Sequence, residues 1–438
     1  METPLIPAGG PVGMAAGELP VQESPLPIEE VARYDVPTAA RYSVANFGSS
    51  VVYGLFNSGM PLYLETYGIF PWLIGLLANE RAFVGAIVQP FVGRLSDRTR
   101  SPLGRRRPFF LVGVPLMSIS LLLLAVHPNI WVMLGLMTIG SFFLAVAQDP
   151  YIALLADLFP EQHRGKVGGF LGLTTALGII TFSLIAHFLW DSNEALVFGL
   201  VIAILLVTYA FTFFTVKEPP APAIATEEKK RPFNLKLYIK ELRQYPEAAK
   251  YIGALCLFWI GTGGATPYVT LFGTKALNAS TSDVFLLPLA FVVMSAIFSV
   301  PAGRLSDRIG KKRVMFGGLL IYGIGALIGS QAHDLMQATL ALAVIGIGNA
   351  GTAALNPLLT DLIPRSRTAE LMGLGSAVWS FAQPLGSALA GIIVTVAALF
   401  VGEHDAYRWT FIFAGAMIVL AGLSLRFVHP ERVTSIDR

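Results

Sequence analysis

Apolar runs of about twenty residues recur along the chain, separated by short polar stretches. They fall at 43–64, 71–95, 109–127, 129–155, 166–190, 194–216, 249–272, 283–305, 313–333, 335–360, 371–396 and 407–428. Roughly 20 apolar residues in a helix cross a bilayer core, so each run predicts one transmembrane helix. Six lie on either side of a polar stretch at 217–248. The pattern predicts an all-α polytopic membrane protein with 12 transmembrane helices in two six-helix bundles, 43–216 and 249–428. Prolines inside the runs (Pro61, Pro90, Pro150, Pro267, Pro301, Pro357, Pro384) are tolerated better in membrane helices than in soluble ones. Small residues in "GSSVVYG" and "GTGGA" allow close helix contact.

Composition agrees with the pattern: 54% of residues are hydrophobic and 13% charged, with a mean hydropathy of +0.64. Soluble domains carry about 25% charged residues. Residues 1–42 are rich in Pro, Gly and Glu and lack the basic-then-apolar order of a signal peptide, so a disordered tail is expected. Residues 429–438 form a short second tail. The central stretch begins Pro-rich and then sets Leu235, Leu237, Tyr238 and Leu242 as an amphipathic piece suited to a membrane surface. Of the 31 Lys and Arg residues, 28 fall on the tails and on connections that the spans place on one side. The positive-inside rule makes that side, and both termini, cytoplasmic in a cell membrane or inner membrane. Anionic lipid accounts for the basic residues without a nucleic-acid partner. A single cysteine, Cys256, excludes an intramolecular disulfide and Cys-based metal clusters.

One basic phrase occurs twice. "GRLSDRTRSPLGRRRPFF" starts at Gly93, and "GRLSDRIGKKRVMF" starts 210 residues later, at Gly303. They follow the second and eighth spans. A second echo follows the fourth and tenth: "DLFPEQHR" from Asp157 to Arg164, and "DLIPRSR" from Asp361 to Arg367. Two echoes in matching places point to two homologous, pseudo-symmetric halves. Over residues 43–428 the chain resembles the major facilitator superfamily (MFS), whose cytoplasmic signature Gly93, Asp97 and Arg98, and again Gly303, Asp307 and Arg308, match. The first copy carries a four-residue insertion. With "PLYLETYGI" and "ALLADL", it looks similar to sucrose–proton symporters within the glycoside–cation (glycoside-pentoside-hexuronide-like) symporter group.

Asp97 and Asp307 sit where a helix leaves the membrane among guanidinium groups. A carboxylate there can bind an opposing helix N-terminus or arginine and latch the cytoplasmic ends; the alternative is a loop anchored in lipid headgroups. Asp157 with Arg164, and Asp361 with Arg367, are candidate partners in that latch. The run Arg105–Arg107 reads mostly as a topology signal and headgroup contact.

Charges within spans are costly and mark function or a fixed ion pair. Glu80 and Arg81 lie near the middle of the second span and Asp149 in the fourth; the second half has no comparable deep charge. Asp149 is a counter-charge for Arg81. A buried carboxylate that an arginine can approach can load and release a proton; the alternative is a permanent pair joining two helices. In the resembled group the acid often stands two residues before the Pro of this span. Here that place is Gln148, with Asp149 one residue on, so a proton is preferred to sodium as the coupling ion.

Polar and aromatic candidates for the cavity are Asn57, Gln89, Gln148, Trp259, Asn356, Trp379 and Gln383, joined by Asn46, Tyr53, Thr262, Thr266, Tyr268 and Asn349. Amides bind sugar hydroxyls and aromatic faces bind the C–H side of the ring. Asn57, Asn356 and Gln383 stand beside a Gly or Pro that can open the helix. His187, near the outer end of the fifth span, is either a proton relay or an interfacial residue. The resemblance implies a secondary transporter working by alternating access, a proton-coupled sugar symporter for a sucrose- or maltose-like glycoside. An exporter or carrier of another small solute, or a non-transporting assembly factor on the same fold, are the alternatives. No HExxH, GxSxG, Walker-type loop or Cys/His cluster suggests an enzyme. The expected partners are a small solute and the bilayer, the expected state a monomer, and no cofactor is expected besides the proton.

Overall fold

A computed structural model of the chain describes residues 35–218, 244–363 and 368–430. The amphipathic piece expected at Leu235–Leu242 and Arg367 lie outside them, as do most of the two tails. Every regular element among the described residues is helical. Nine helices there are long and apolar enough to cross a membrane; three further segments, two interrupted and one short, make twelve. We number them α1 (36–65), α2 (71–98), α3 (Pro108–Leu124), α4 (Ile130–Leu158), α5 (Glu161–Leu189) and α6 (Glu194–Thr215). The second bundle has α7 (Pro246–Ala276), α8 (Asp283–Ile309), α9 (Lys311–Gly329), α10 (Leu335–Asp361), α11 (Thr368–Val401) and α12 (Glu403–Phe427). The first helix begins at Val36, inside the stretch read as tail. Asp35 caps it by accepting from the Thr38 amide at 3.1 Å, and Pro37 occupies its first turn, where a missing N–H costs nothing.

The two bundles repeat one set of packings six helices apart. In the first, α1 packs on α5 and α6, and α4 on α2 and α3; in the second, α7 packs on α11 and α12, and α10 on α8 and α9. The bundles meet through α2 against α11 and through the counterpart pair, α5 against α8.

Two of the helix breaks follow from prolines, and the freed carbonyls must find donors within the protein because lipid supplies none. Pro61 cannot donate to the Asn57 carbonyl, and α1 widens there into a π-helical turn, Leu55–Gly59. Pro267 likewise deprives the Gly263 carbonyl, and α7 tightens at Thr266–Tyr268. The Ser387 hydroxyl of α11 donates to that freed carbonyl at 2.7 Å. Helix α2 is interrupted at Asn79, with Pro71–Ala78 before it and Glu80–Arg98 after it. In the first bundle, Tyr42 and Tyr151 stack with ring centroids 4.5 Å apart, and each hydroxyl donates to the other residue's carbonyl, at 2.8 and 2.9 Å.

Helices α7 and α11 cross so closely that a Cβ on Gly263 would run into the Gln383 carbonyl, and one on Gly386 into that of Ile260. Gly263→Val should therefore overpack the crossing by about 1–3 kcal/mol and lower the thermal midpoint in detergent. Gly253→Ala, where a Cβ meets nothing within 4 Å, should not lower the midpoint and should raise it slightly, since Ala favours the helix.

Candidate functional site

The buried charges of the first bundle meet around Tyr53 on α1. The Arg81 guanidinium lies over the Tyr53 ring, 3.6 Å from its centroid, and the Tyr53 hydroxyl donates to Gln148 Oε1 on α4. Asp149, the next residue, lies within electrostatic range of Tyr53 and of Tyr209 on α6. Arg81 and Asp149 are not ion-paired. Arg81 Nη1 and Asp149 Oδ2 are both buried and have no hydrogen-bond partner among the described residues. Glu80 takes a different partner, accepting from the Ser141 hydroxyl at 2.6 Å. The expected Arg81–Asp149 pair is thus open in this structure, because Tyr53 holds the cation.

The second bundle holds a cavity of about 340 Å³ lined by Trp259, Asn356, Ser376 and Trp379, with Leu255 and Leu359 among its apolar walls. The Trp259 and Trp379 rings meet edge to face, centroids 6.3 Å apart. Three residues picked from the sequence therefore share one wall. Asn57, on the π-helical turn, and Gln89, exposed on α2, do not line this cavity, and neither does Gln383. Three other candidates join helices instead. Asn46 donates to Thr174 and Thr175 of α5, Asn349 to Ser295 of α8, and Tyr268 reaches the carbonyls of Pro71 and Ser387 at 2.8 and 2.9 Å.

One end of the molecule is closed. There Thr270 donates to the Ser58 carbonyl at 2.9 Å and Lys275 pairs with Glu65. His187 Nδ1 lies 3.1 Å from the Ser282 carbonyl, and Asp191 accepts from the Ser282 amide at 3.0 Å. Asn79 donates to Ser387 Oγ at 2.7 Å. Each of these contacts joins the two bundles.

At the opposite, basic end the ion pairs stay within one bundle. Arg106, only 6% exposed, reaches Asp97 at 3.0 Å, Asp157 at 2.5 Å and Ser96 at 3.1 Å. Arg105 reaches Asp157 at 2.8 Å, and Arg107 donates to the Phe213 carbonyl. The triple arginine is therefore a staple across the ends of α2, α3, α4 and α6 rather than a headgroup contact. The loop folds Arg106 back under Asp97, which the sequence could not show. Arg164 bonds the carbonyls of Phe159 and Ala156, not Asp157. Asp361 pairs with Lys311 at 2.7 Å. Arg98, Asp307 and Arg308 are exposed. A Cβ on Gly93, Gly303 or any of Gly165, Gly168, Gly169 and Gly172 would meet nothing within 4 Å, so the glycine-bearing faces of α2, α5 and α8 are open at this end. No group of three or more His, Cys, Asp or Glu residues among the described ones is placed to hold a metal ion.

The profile of the Major Facilitator Superfamily matches residues 42–294 and 272–437. The chain belongs to this superfamily. It is 24% identical to the isoprimeverose transporter of Lactiplantibacillus pentosus, over 84% of this chain and 81% of that one. It is 26% identical to a multi-drug resistance efflux pump PmrA homolog of Lactococcus lactis, over 80% of this chain and 87% of that one. Among solved structures, the occupied, inward-facing form of a bacterial homolog of the human lysosomal transporter Spinster superposes with a TM-score of 0.71 at 15% identity, covering 92% of this chain and 97% of that one.

Asn79 and Ser387 are the residues whose importance the sequence hid, whereas Tyr53, a cavity candidate, proves to seat Arg81. Only the neighbouring helix reveals what an isolated Asn or Ser in an apolar run is bonded to. As an MFS transporter the chain is not an enzyme, and its closed end must open at some stage of the cycle. In a Cys256→Ser background, Asp191→Cys with Ser282→Cys should form a disulfide under mild oxidation. A third cysteine at Gln89 should then stay as reactive to a maleimide added from the basic side. Slower labelling after oxidation would mean that closing one end does not hold the other open.

Proposed function

We propose that the chain is a proton-coupled sugar symporter for a glycoside of disaccharide size, and that its basic end faces the cytoplasm. The cavity of Trp259, Trp379 and Asn356 carries this reading. Its volume lies in the range of small-molecule sites, about 300–1,000 Å³, and it offers two indole faces for C–H surfaces with amide and hydroxyl groups for sugar hydroxyls. The isoprimeverose transporter among the relatives supports a sugar as cargo. The charge bias of the connections supports the sidedness, and the structure then corresponds to an inward-open state, sealed at the outer end.

Asp149 is the coupling carboxylate. A buried oxygen with no donor is costly as an anion, and a proton relieves that cost. Gly93 and Gly303 stand clear in this state. Closing the inner end would bring the glycine-lined helices α2, α5, α8 and α11 together. A second reading, extrusion of an amphipathic compound, rests on the efflux-pump relatives and on large apolar side chains such as Phe381 and Leu385 exposed on α11.

In proteoliposomes with an imposed pH gradient, radiolabelled maltose or sucrose should accumulate in the wild type, and Asp149→Asn should abolish accumulation while sparing exchange. Trp379→Ala should raise KM about 3–10-fold, the loss of one aromatic contact. If neither disaccharide accumulates the sugar reading fails, and proton-driven loss of a lipophilic dye would put the efflux reading in its place.

A further inference from the structure

Two buried groups of opposite charge in one bundle normally pair, because an unpaired buried charge is costly. Here they do not. Arg81 rests on an aromatic ring while Nη1 stays unbonded, and Asp149 Oδ2 is buried without a donor. We propose that Tyr53 is a positioning residue that parks the Arg81 guanidinium away from Asp149, so that the proton and the guanidinium alternate as the partner of that carboxylate. The proposal rests on the proton-coupling role given to Asp149 above.

Tyr53 is built for this task. Its hydroxyl is bonded to Gln148, the residue before Asp149, while its face carries Arg81. A desolvated cation over an aromatic ring is stabilised enough to compete with an ion pair but not to exclude one. Two other groups lie within electrostatic range of the exchange, Glu80 of Arg81 and Tyr209 of Asp149, and both are already hydrogen-bonded elsewhere. On α2, Glu80 is occupied by Ser141. On α6, Tyr209 is bonded to Ser49 at 2.8 Å, and on α1 Tyr42 is bonded to the Tyr151 carbonyl. Helix α3 carries no ionisable side chain, and those of α5 lie at its ends.

The exchange is also tied to the gate. Arg81 lies two residues beyond the break at Asn79, and Asn79 is bonded to Ser387 of the other bundle. The segment Pro71–Ala78 packs on α11, whereas Glu80–Arg98 packs on α4. When the closed end opens, α11 withdraws from the first bundle and pulls on Asn79, two residues before Arg81. With Arg81 on Tyr53, Asp149 holds one proton. With Arg81 on Asp149, the carboxylate is an anion paired to the guanidinium and the proton has passed to solvent.

The test needs no substrate. In reconstituted protein, the infrared carbonyl stretch of a protonated carboxylic acid that Asp149→Asn removes is followed against pH. Tyr53→Leu, which removes the parking ring, should shift the pH at which this band half-disappears down by about one unit. Tyr53→Phe keeps the ring and should stay close to the wild type. An unshifted midpoint in Tyr53→Leu overturns the parking role alone, as does an equal shift in Tyr53→Phe. Absence of any band removed by Asp149→Asn overturns the proton-coupling reading itself. Thermal midpoints of the variants show that each is folded.

Discussion

Ser387 donates to the Gly263 carbonyl left empty by Pro267, and its oxygen accepts from Asn79 of the other bundle. In a bilayer core, a backbone carbonyl without a donor is costly, so the kink in α7 can exist only where another helix brings a hydroxyl. The glycines at the α7–α11 crossing let that hydroxyl come close enough. Asn79, which breaks α2, finds its acceptor on the same oxygen, and Tyr268 reaches the carbonyls of Ser387 and Pro71 beside it. One repaired proline thus organises the contact between bundles at the closed end.

The two ends of the molecule are held in different ways. At the closed end, hydrogen bonds and an ion pair cross between the bundles and are mostly single contacts. At the basic end, Arg105 and Arg106 bind Asp97 and Asp157 inside the first bundle, and Lys311 binds Asp361 inside the second. Each bundle is stapled to itself where the ends are apart and joined to its neighbour where they are together. Rigid bodies that rock about a central site need this division, since a bundle that frayed on separation would lose the geometry of its own cavity wall.

The twelve spans were legible because membrane-crossing length and apolar runs are one-dimensional properties. The repeat was legible because its echoes fall at matching offsets. Pairing was not. From the sequence Arg81 and Asp149 look like obvious partners, yet the face of Tyr53 is what Arg81 meets. The triple arginine read as a topology signal because nothing in a linear chain shows that Arg106 turns back under Asp97. Trp259, Asn356 and Trp379 were each plausible alone; only the packing of α7, α10 and α11 puts them on one cavity. The first helix started early because Asp35 and Pro37, read as tail, are a capping residue and a helix opener.

The deep charges lie in the first bundle and the aromatic cavity wall in the second, although the two descend from one repeat. Under the proposed function, energy conversion and cargo recognition are therefore written in separate stretches of the chain. Mutations around Trp259, Asn356 and Trp379 can retune what is carried while leaving the machinery that powers carriage intact. A lineage on this plan can change its diet without having to relearn how to be driven.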